Sequence, residues 1–492
     1  MNLAGLLLAP AASAPDAPAL YGGDGAAVSF GGLAAAAGRL ATVLVERGVA
    51  AGDRVAVLAP NSVEFVVGHL AVLVAGGVAV PLNPAAPPPE LGREAAAVQP
   101  RLTLAAGHAG VTGVPTMAID LAGLPAAALD PVERSDDDLA VLLFTAGTAG
   151  APRAAMLSHG NLAANIGQVL GHPGLRLEPS DVGLGALPLF HVFGLNVVVG
   201  VGLAAGASVA LVEHFDAAAT VDEIQRRGVT VLAGVPPMYA AWLALDGARA
   251  PADAFASVRL AVSGAATLPR EVADAFHERF GVVVHEGYGL TEAAPIVATT
   301  ATGGGLPQPG SVGSPLPGLE VRVVDADGAD VLPGDPGEIW VRGPNVFRGY
   351  WNDDAATRLV LTDDGWLRTG DVAVVDARGE LRLVDRAKDV VIVSGFNVYP
   401  AEVEEVLMSH PRVREAAVVG EPDARTGEAV VAYVVLDDGP PVEPGSLAAF
   451  CAGALARYKC PARVEIVDEL PHTLAGKLLR RALRRHGLPG AG

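Results

Sequence analysis

Short aliphatic runs that end in turns and alternate with helix-length segments restrict the fold of this chain more than any other feature. "RVAVLAP" (54–60) reads as a strand. "NSVEFVVGHLAVLVAGG" (61–77) reads as a helix, with Asn61 or Ser62 as its cap and glycines at its end. "VAVPL" (78–82) reads as the next strand. Further on, "SVALVE" (208–213), "VTVLAGVP" (229–236) and "VRLAVSGA" (258–265) each read as a buried strand running into a turn. Buried strands that alternate with helices predict parallel sheets covered on both faces, an α/β architecture. From Gly318 the texture changes: "LEVRVVDADGADVLPGDPGEIWVRG" (319–343) reads as short strands joined by Asp-Gly and Pro-Gly turns. After "RLVDRAKD" (382–389), "VVIVSGFNVYPAEVEEVLMSHPRVREAAVVG" (390–420) reads as strand, helix, strand. The expected organisation is a large N-terminal domain of αβ-layered sheets over 1–387, with a β-rich part over 318–384, and a small α+β C-terminal domain over 388–492.

A chain of 492 residues is long enough for two or more domains. Its formal net charge of −20 opposes non-specific binding to nucleic acid or to an anionic membrane, so an anionic substrate needs local positive groups. Two cysteines, Cys451 and Cys460, do not make a secreted disulfide framework, and a reducing, cytoplasmic setting is expected. The opening "MNLAGLLLAPAASA" has an apolar run, but no Lys or Arg precedes it, the first being Arg39, and a signal peptide is not expected. Phe65–Pro89 and Val182–Val212 carry no charge and exceed the roughly 20 residues of a spanning helix. The first breaks at "AGG" into a strand, and the second holds a proline and a histidine in "LPLFH", so buried core is the expectation for both.

The chemistry gathers around "TAGTAGAPRAAMLSHGNL" (145–162). A Thr- and Gly-rich stretch ahead of a basic residue can wrap phosphate with backbone N–H groups. The usual phosphate-loop pattern GxxxxGK[ST] is absent, and alone the stretch fits a solvent-facing turn equally well. It is followed in order by "LPLFHVFGLN" (187–196), "GYGLTEAAP" (287–295), "RGPNVFRGYW" (342–351), "WLRTGD" (366–371), "DRAKDVVIVSGFNVYPAEVE" (385–404) and "LPHTLAGKLLRR" (470–481). With these motifs, the sequence resembles over essentially its whole length the adenylate-forming superfamily of acyl-CoA synthetases, firefly luciferases and peptide-synthetase adenylation domains. The acyl-CoA synthetase branch is the nearest.

The resemblance implies a mobile C-terminal domain and two half-reactions. A carboxylate attacks the α-phosphate of ATP, giving acyl-AMP and pyrophosphate; a thiol, usually of coenzyme A, then displaces AMP. It implies that Glu292 is the Mg²⁺ carboxylate, that Thr291 lies near the phosphates, and that Tyr288, between Gly287 and Gly289, stacks on adenine. It gives Asp371 and Arg386 to the ribose, Lys477 to the reacting carboxylate and α-phosphate, and Lys388 to the hinge. Gly395, beside Phe396, lets the pantetheine arm pass, and His191 sits at the carbonyl end of the acyl pocket. The arginines after Lys477, namely Arg480, Arg481, Arg484 and Arg485, are expected to form a solvated face.

The expected pocket wall is "SGAATLP" (263–269), including Gly264 and Ala265, with Gly287 and the apolar residues around Phe193 and Val197. Amino-acid-activating relatives carry an Asp in the stretch that here reads "FHVFG", and malonate-specific ones an Arg at the position of Gly287. Both charges are absent, which suits an apolar acyl group. The phosphate loop departs from the usual TSGTTGxPKG. Thr145, Gly147, Thr148 and Gly150 remain, Ala146 and Ala149 replace two hydroxyls, Arg153 replaces lysine, and Ala154 replaces glycine. That predicts a weak or lost adenylation step with thioester formation from acyl-AMP retained, the adenylate coming from a separate adenylating enzyme. An ordinary complete ligase, and a non-catalytic relative that binds an acyl nucleotide, stay open as alternatives.

Overall fold

Six strands of the N-terminal region lie in the order Thr116–Ala118, Leu102–Ala105, Arg54–Leu58, Val78–Pro81, Leu139–Thr145, Arg153–Ser158. All neighbours are parallel except the last pair, which is an antiparallel hairpin around the phosphate-loop stretch. The computed structural model describes the chain except residues 24, 108–109, 146–152, 302–305, 309, 387–388, 390, 394–395, 424–425, 438, 456, 473–477 and 484–492. Two compact units emerge: Met1–Val321 with Val341–Arg368, and Arg322–Trp340 with Thr369–Gly492.

The first unit holds a second sheet. Its parallel centre runs Pro18–Tyr21, Ser208–Leu211, Val182–Gly185, Val231–Gly234, Leu260–Ser263, Val284–Gly289. Antiparallel strands Ile296–Thr299 and Ser311–Pro315 extend it beyond Val284–Gly289. The helix expected after "RVAVLAP" spans Val63–Val74, and Ser62 is its cap, its hydroxyl accepting the Phe65 N–H at 3.2 Å. Asn61 is freed for another task. Its buried amide donates to the carbonyls of Gly185, Leu187 and Val212 and accepts the Leu189 N–H at 2.9 Å, so the helix start is tied to the second sheet.

Neither long uncharged stretch is a membrane span. The first divides into Val63–Val74 and the strand Val78–Pro81. The second divides into the strand Val182–Gly185, a wide π-type helix Phe193–Val201 and the strand Ser208–Leu211. Among the described residues no helix is long and apolar enough to cross a membrane.

In the second unit, a sheet of Phe396–Val398, Val391–Val393, Gly427–Leu436 and Val413–Asp423, with Arg463–Ile466 parallel to Gly427–Leu436, packs on helices Pro400–Met408 and Pro444–Ala452 around a core of valines. Of the four arginines expected on a solvated face, Arg480, in the short helix Arg480–Leu483, departs from the expectation, while the Arg481 side chain and Arg484 and Arg485 lie outside the described residues. The Arg480 guanidinium pairs with the buried Glu404 carboxylate at 2.6 Å, and Glu404 also accepts the Val418 N–H at 2.7 Å. The same short helix places Leu483 in a cluster with Tyr433 and Leu470. The acid in "PAEVEEVL" was the overlooked partner: a glutamate on the sheet-facing side of a helix needs a cation or N–H groups nearby.

Removing one partner of a buried pair leaves the other uncompensated, and here the arginine keeps some water contact. Glu404→Ala is therefore expected to destabilise the second unit by about 2–3 kcal/mol. Differential scanning calorimetry reads this as a lowered transition midpoint for that unit.

Candidate active site

The acyl-pocket candidate lies between the π-type helix and the second sheet. It encloses about 660 Å³, including space open to solvent. Phe193, Val197, Val198 and Val201 line it from the helix, and Leu184, Leu232, Val262, Gly287 and Ile296 from the strands. The wider turns of this helix follow from i→i+5 bonding, which is often found at functional sites. Gly194 is required within it, because a Cβ there would lie 2.4 Å from the Pro188 carbonyl oxygen. Among the described residues Thr299 is the one polar side chain in the wall, and its hydroxyl is already used: it donates to the Glu286 carbonyl and accepts the Ala301 N–H, both at 3.1 Å.

Phe193, Val197 and Gly287 line the pocket as expected, but Ser263–Pro269 is not in the lining. Gly264 instead supports the pocket from behind. The Phe193 ring lies where a side chain would go, 2.9 Å from an added Cβ. Ala265 holds a left-handed backbone at φ 68°, a conformation alanine rarely adopts. This turn is braced by Glu286, an acid that the sequence reading missed. Its buried carboxylate accepts the Leu268 N–H at 3.0 Å. A lone acid in the otherwise apolar strand "VVVHEGYG" was the available signal. Burial pushes the Glu286 carboxyl up to about 7, against the pull of the Leu268 N–H.

His191 lies half-buried at the turn before the π-type helix, tilted against Phe190 with ring centres 4.7 Å apart, outside the pocket wall. Burial holds its imidazole below the usual histidine range. Tyr288 is buried in the strand Val284–Gly289, in register with Ala298. Gly289 after it is obligatory, since a Cβ would sit 2.1 Å from the Pro295 carbonyl oxygen. Thr291 opens a single 3₁₀ turn that presents Glu292.

Glu292 meets the segment 347–351. Its carbonyl accepts the Phe347 N–H at 2.9 Å, and its Oε1 accepts the Tyr350 hydroxyl at 2.7 Å. Burial first, and the Glu292 charge second, push the Tyr350 phenol above its ordinary range. Among the described residues Oε2 of Glu292 has no hydrogen-bond partner, and no cluster of three His, Cys, Asp or Glu residues forms. That donor set fits Mg²⁺, which binds one or two carboxylates and completes its shell with water and substrate phosphate oxygens.

Thr145 and Arg153 flank the phosphate-loop stretch and face each other in register, with the Thr145 hydroxyl 3.5 Å from the Arg153 carbonyl. The Arg153 guanidinium lies 5.7 Å from the Tyr350 ring centre and 3.3 Å from Asp353. Ala154 is buried in the core near Trp351, so its methyl group is packing rather than an obstruction. Gly147, Thr148 and Gly150, and the replacements Ala146 and Ala149, lie outside the described residues. In the second unit Asp371 sits opposite Arg386 in an antiparallel pair, after Gly370 at φ 71°. For Arg386 and Phe396 only the backbone is described, and Lys388, Gly395 and Lys477 lie outside the described residues.

Residues 8–351 match the family model of the AMP-binding enzymes, and residues 402–477 match the model of the AMP-binding enzyme C-terminal domain. The chain belongs to the AMP-binding enzyme family. Within it, the chain is 39% identical over 478 residues to a feruloyl-CoA synthase of an Amycolatopsis species, covering 96% of both chains. A long-chain-fatty-acid–CoA ligase of Escherichia coli O157:H7 is 42% identical over 351 residues, covering 71% of this chain and 62% of that one. The o-succinylbenzoate–CoA synthetase of Bacillus subtilis, solved with ATP and a magnesium ion, superposes with a TM-score of 0.86 at 32% identity, covering 97% of this chain and 99% of that one.

In this member of the family the buried Glu286 has a pH consequence. Its folded carboxyl binds a proton more tightly than the ordinary carboxyl at 4.5. The resulting stabilisation is complete below that value and is lost as pH rises through about 7. Glu286→Gln keeps an acceptor for Leu268 and removes the titration. Between pH 5 and pH 8 the parent is expected to lose about 2–3 kcal/mol more stability than the variant. Urea unfolding at the two pH values measures the difference.

Proposed function

We propose that this chain is an acyl-CoA synthetase that joins an apolar carboxylic acid to coenzyme A through an acyl-adenylate, with adenylation the weaker of its two half-reactions. The observation that carries the substrate reading is the pocket wall, which among the described residues holds no charged side chain and a single hydroxyl that is already satisfied. A second carboxylate or an ammonium group would be buried there without a partner, at a cost of several kcal/mol. The named relatives, a feruloyl-CoA synthase and a long-chain-fatty-acid–CoA ligase, support the reaction class.

In the first half-reaction a carboxylate oxygen of the acid attacks the α-phosphorus, and the bond to the β-phosphate oxygen breaks. Bound Mg²⁺ supplies charge neutralisation on the phosphate oxygens. Glu292 would hold that ion, Lys477 would balance the charge of the reacting carboxylate and α-phosphate, and Asp371 with Arg386 would hold the ribose. In the second half-reaction the coenzyme A sulfur attacks the carbonyl carbon and AMP leaves. The C-terminal domain rotates about Lys388 between the two, and the pantetheine arm passes Gly395.

Two features support a weak first step. Ala146 and Ala149 remove two hydroxyls from the loop that holds the departing pyrophosphate. Arg153, the loop's cation, is already engaged by Asp353. Thioester formation needs none of these groups, so an adenylate made by a separate enzyme remains a usable substrate. The test has two parts: acid, ATP and coenzyme A in one, preformed acyl-AMP and coenzyme A in the other. Acyl-CoA is expected faster from the adenylate, and brisk acid-dependent ATP–pyrophosphate exchange overturns the weak-adenylation reading.

Two further outcomes are expected. For acids that differ only in one hydroxyl at the end buried in the pocket, kcat/KM should favour the unhydroxylated acid by about 10- to 100-fold, the range by which an apolar pocket rejects a hydroxylated isostere. The double change Ala146→Ser, Ala149→Thr should raise exchange by roughly 10²- to 10⁴-fold, if each restored hydroxyl donates a hydrogen bond to phosphate charge in the transition state.

A further inference from the structure

We propose that Tyr350 is a positioning residue for adenylation, joining the Glu292 carboxylate and the Arg153 guanidinium into one unit that receives a divalent cation with a nucleoside triphosphate. The inference rests on the functional reading above and adds a residue and a restraint to it. Tyr350 sits in "FRGYW", a segment that the backbone fixes tightly. The Phe347 N–H donates to the Glu292 carbonyl at 2.9 Å, and the Arg348 N–H to the Met156 carbonyl at 2.9 Å. The Met156 N–H donates to the Gly349 carbonyl at 2.9 Å, and the Trp351 N–H to the Ala154 carbonyl at 2.8 Å. The Tyr350 N–H is held by the Thr357 hydroxyl at 2.9 Å. The ring is thus fixed relative both to the strand that leaves the phosphate loop and to the turn that carries Glu292.

Each end of the side chain then meets a charge. The hydroxyl donates to Oε1 of Glu292 at 2.7 Å, a short bond to a charged acceptor, and this leaves Oε2 pointing away from the phenol. The electron-rich face of the ring lies 5.7 Å from the Arg153 guanidinium carbon. Asp353 holds that guanidinium from another side, with Oδ2 3.3 Å from Nε. Asp353 also caps the helix Asp354–Val360, using Oδ1 to accept the Ala356 N–H at 2.9 Å. A phenylalanine at 350 would fill the same space and leave Glu292 free to rotate. An asparagine at 353 would keep the cap and release the arginine for phosphate.

The experiment uses the full chain and calorimetric titration of ATP at a series of Mn²⁺ concentrations, beside exchange and thioester assays. Tyr350→Phe is expected to raise the Mn²⁺ concentration needed for half-maximal ATP binding about 10-fold, as fits loss of a hydrogen bond to a charged group. Exchange should fall by more than thioester formation from acyl-AMP. Asp353→Asn should tighten ATP binding several-fold. An unchanged Mn²⁺ requirement in Tyr350→Phe, or equal losses in both half-reactions, overturns the proposal. If Tyr350→Phe fails to fold, ATP binding by Asp353→Asn decides, and unchanged or weaker binding overturns it. The titration needs no turnover, so its result stands even if neither half-reaction is seen in the parent, which would defeat the functional reading alone.

Discussion

The buried amide of Asn61 ties the start of the helix Val63–Val74 to the second sheet of the first unit. One planar group serves three carbonyls and one N–H, all from the segments 185–189 and 212. These segments are the ends of strands and the turn ahead of the π-type helix, and the Gly185 carbonyl also accepts the Val212 N–H at 3.1 Å. The Leu187 carbonyl and the Leu189 N–H lie in the turn, outside any strand, and without the amide each would be left unpaired at a cost of about 1–3 kcal/mol. A hydrophobic replacement could match its volume but not its donors. The two sheets of the unit are therefore aligned by hydrogen bonding at this point, and the pocket between sheet and helix inherits that alignment.

Around the phosphate-loop stretch the arrangement follows a similar logic in a more exposed setting. Main-chain bonds from the segment 347–351 reach both the strand Arg153–Ser158 and the turn at Glu292. Side-chain charges are then layered on a frame that is already fixed. Arg153 is part of that frame. Its guanidinium is shared between the Asp353 carboxylate and the face of the Tyr350 ring. Replacement of lysine by arginine changes the partners available as well as the shape, because a guanidinium can meet an aromatic face and a carboxylate together.

Much of this was legible in the sequence, for identifiable reasons. Strands such as Leu260–Ser263 are aliphatic because both faces are covered, and that pattern is local. The helix Val63–Val74 was announced by its cap. Gly287, Phe193 and Val197 were placed in the pocket because a motif fixes their neighbourhood. The failures share a cause. Arg480, Glu286, Asn61 and Tyr350 act through partners 76, 18, about 125 and 58 positions away, which no local pattern records. The apparent freedom of Ser263–Pro269 to line the pocket ended at a ring from another element, Phe193.

The π-type helix Phe193–Val201 has an evolutionary consequence. Each of its turns holds one residue more than an α-turn. Loss of a single codon within it need not break the helix, because the remaining residues can return to i→i+4 bonding. The narrower turn would absorb the missing residue, so the segments beyond the deletion would keep close to their present facing. The same deletion in a regular α-helix would turn everything after it by about 100°. Only the local face would change, at Val197, Val198 and Val201 of the wall, so the lining of this cavity can be revised by length as well as by point substitution while the sheets beneath stay as they are.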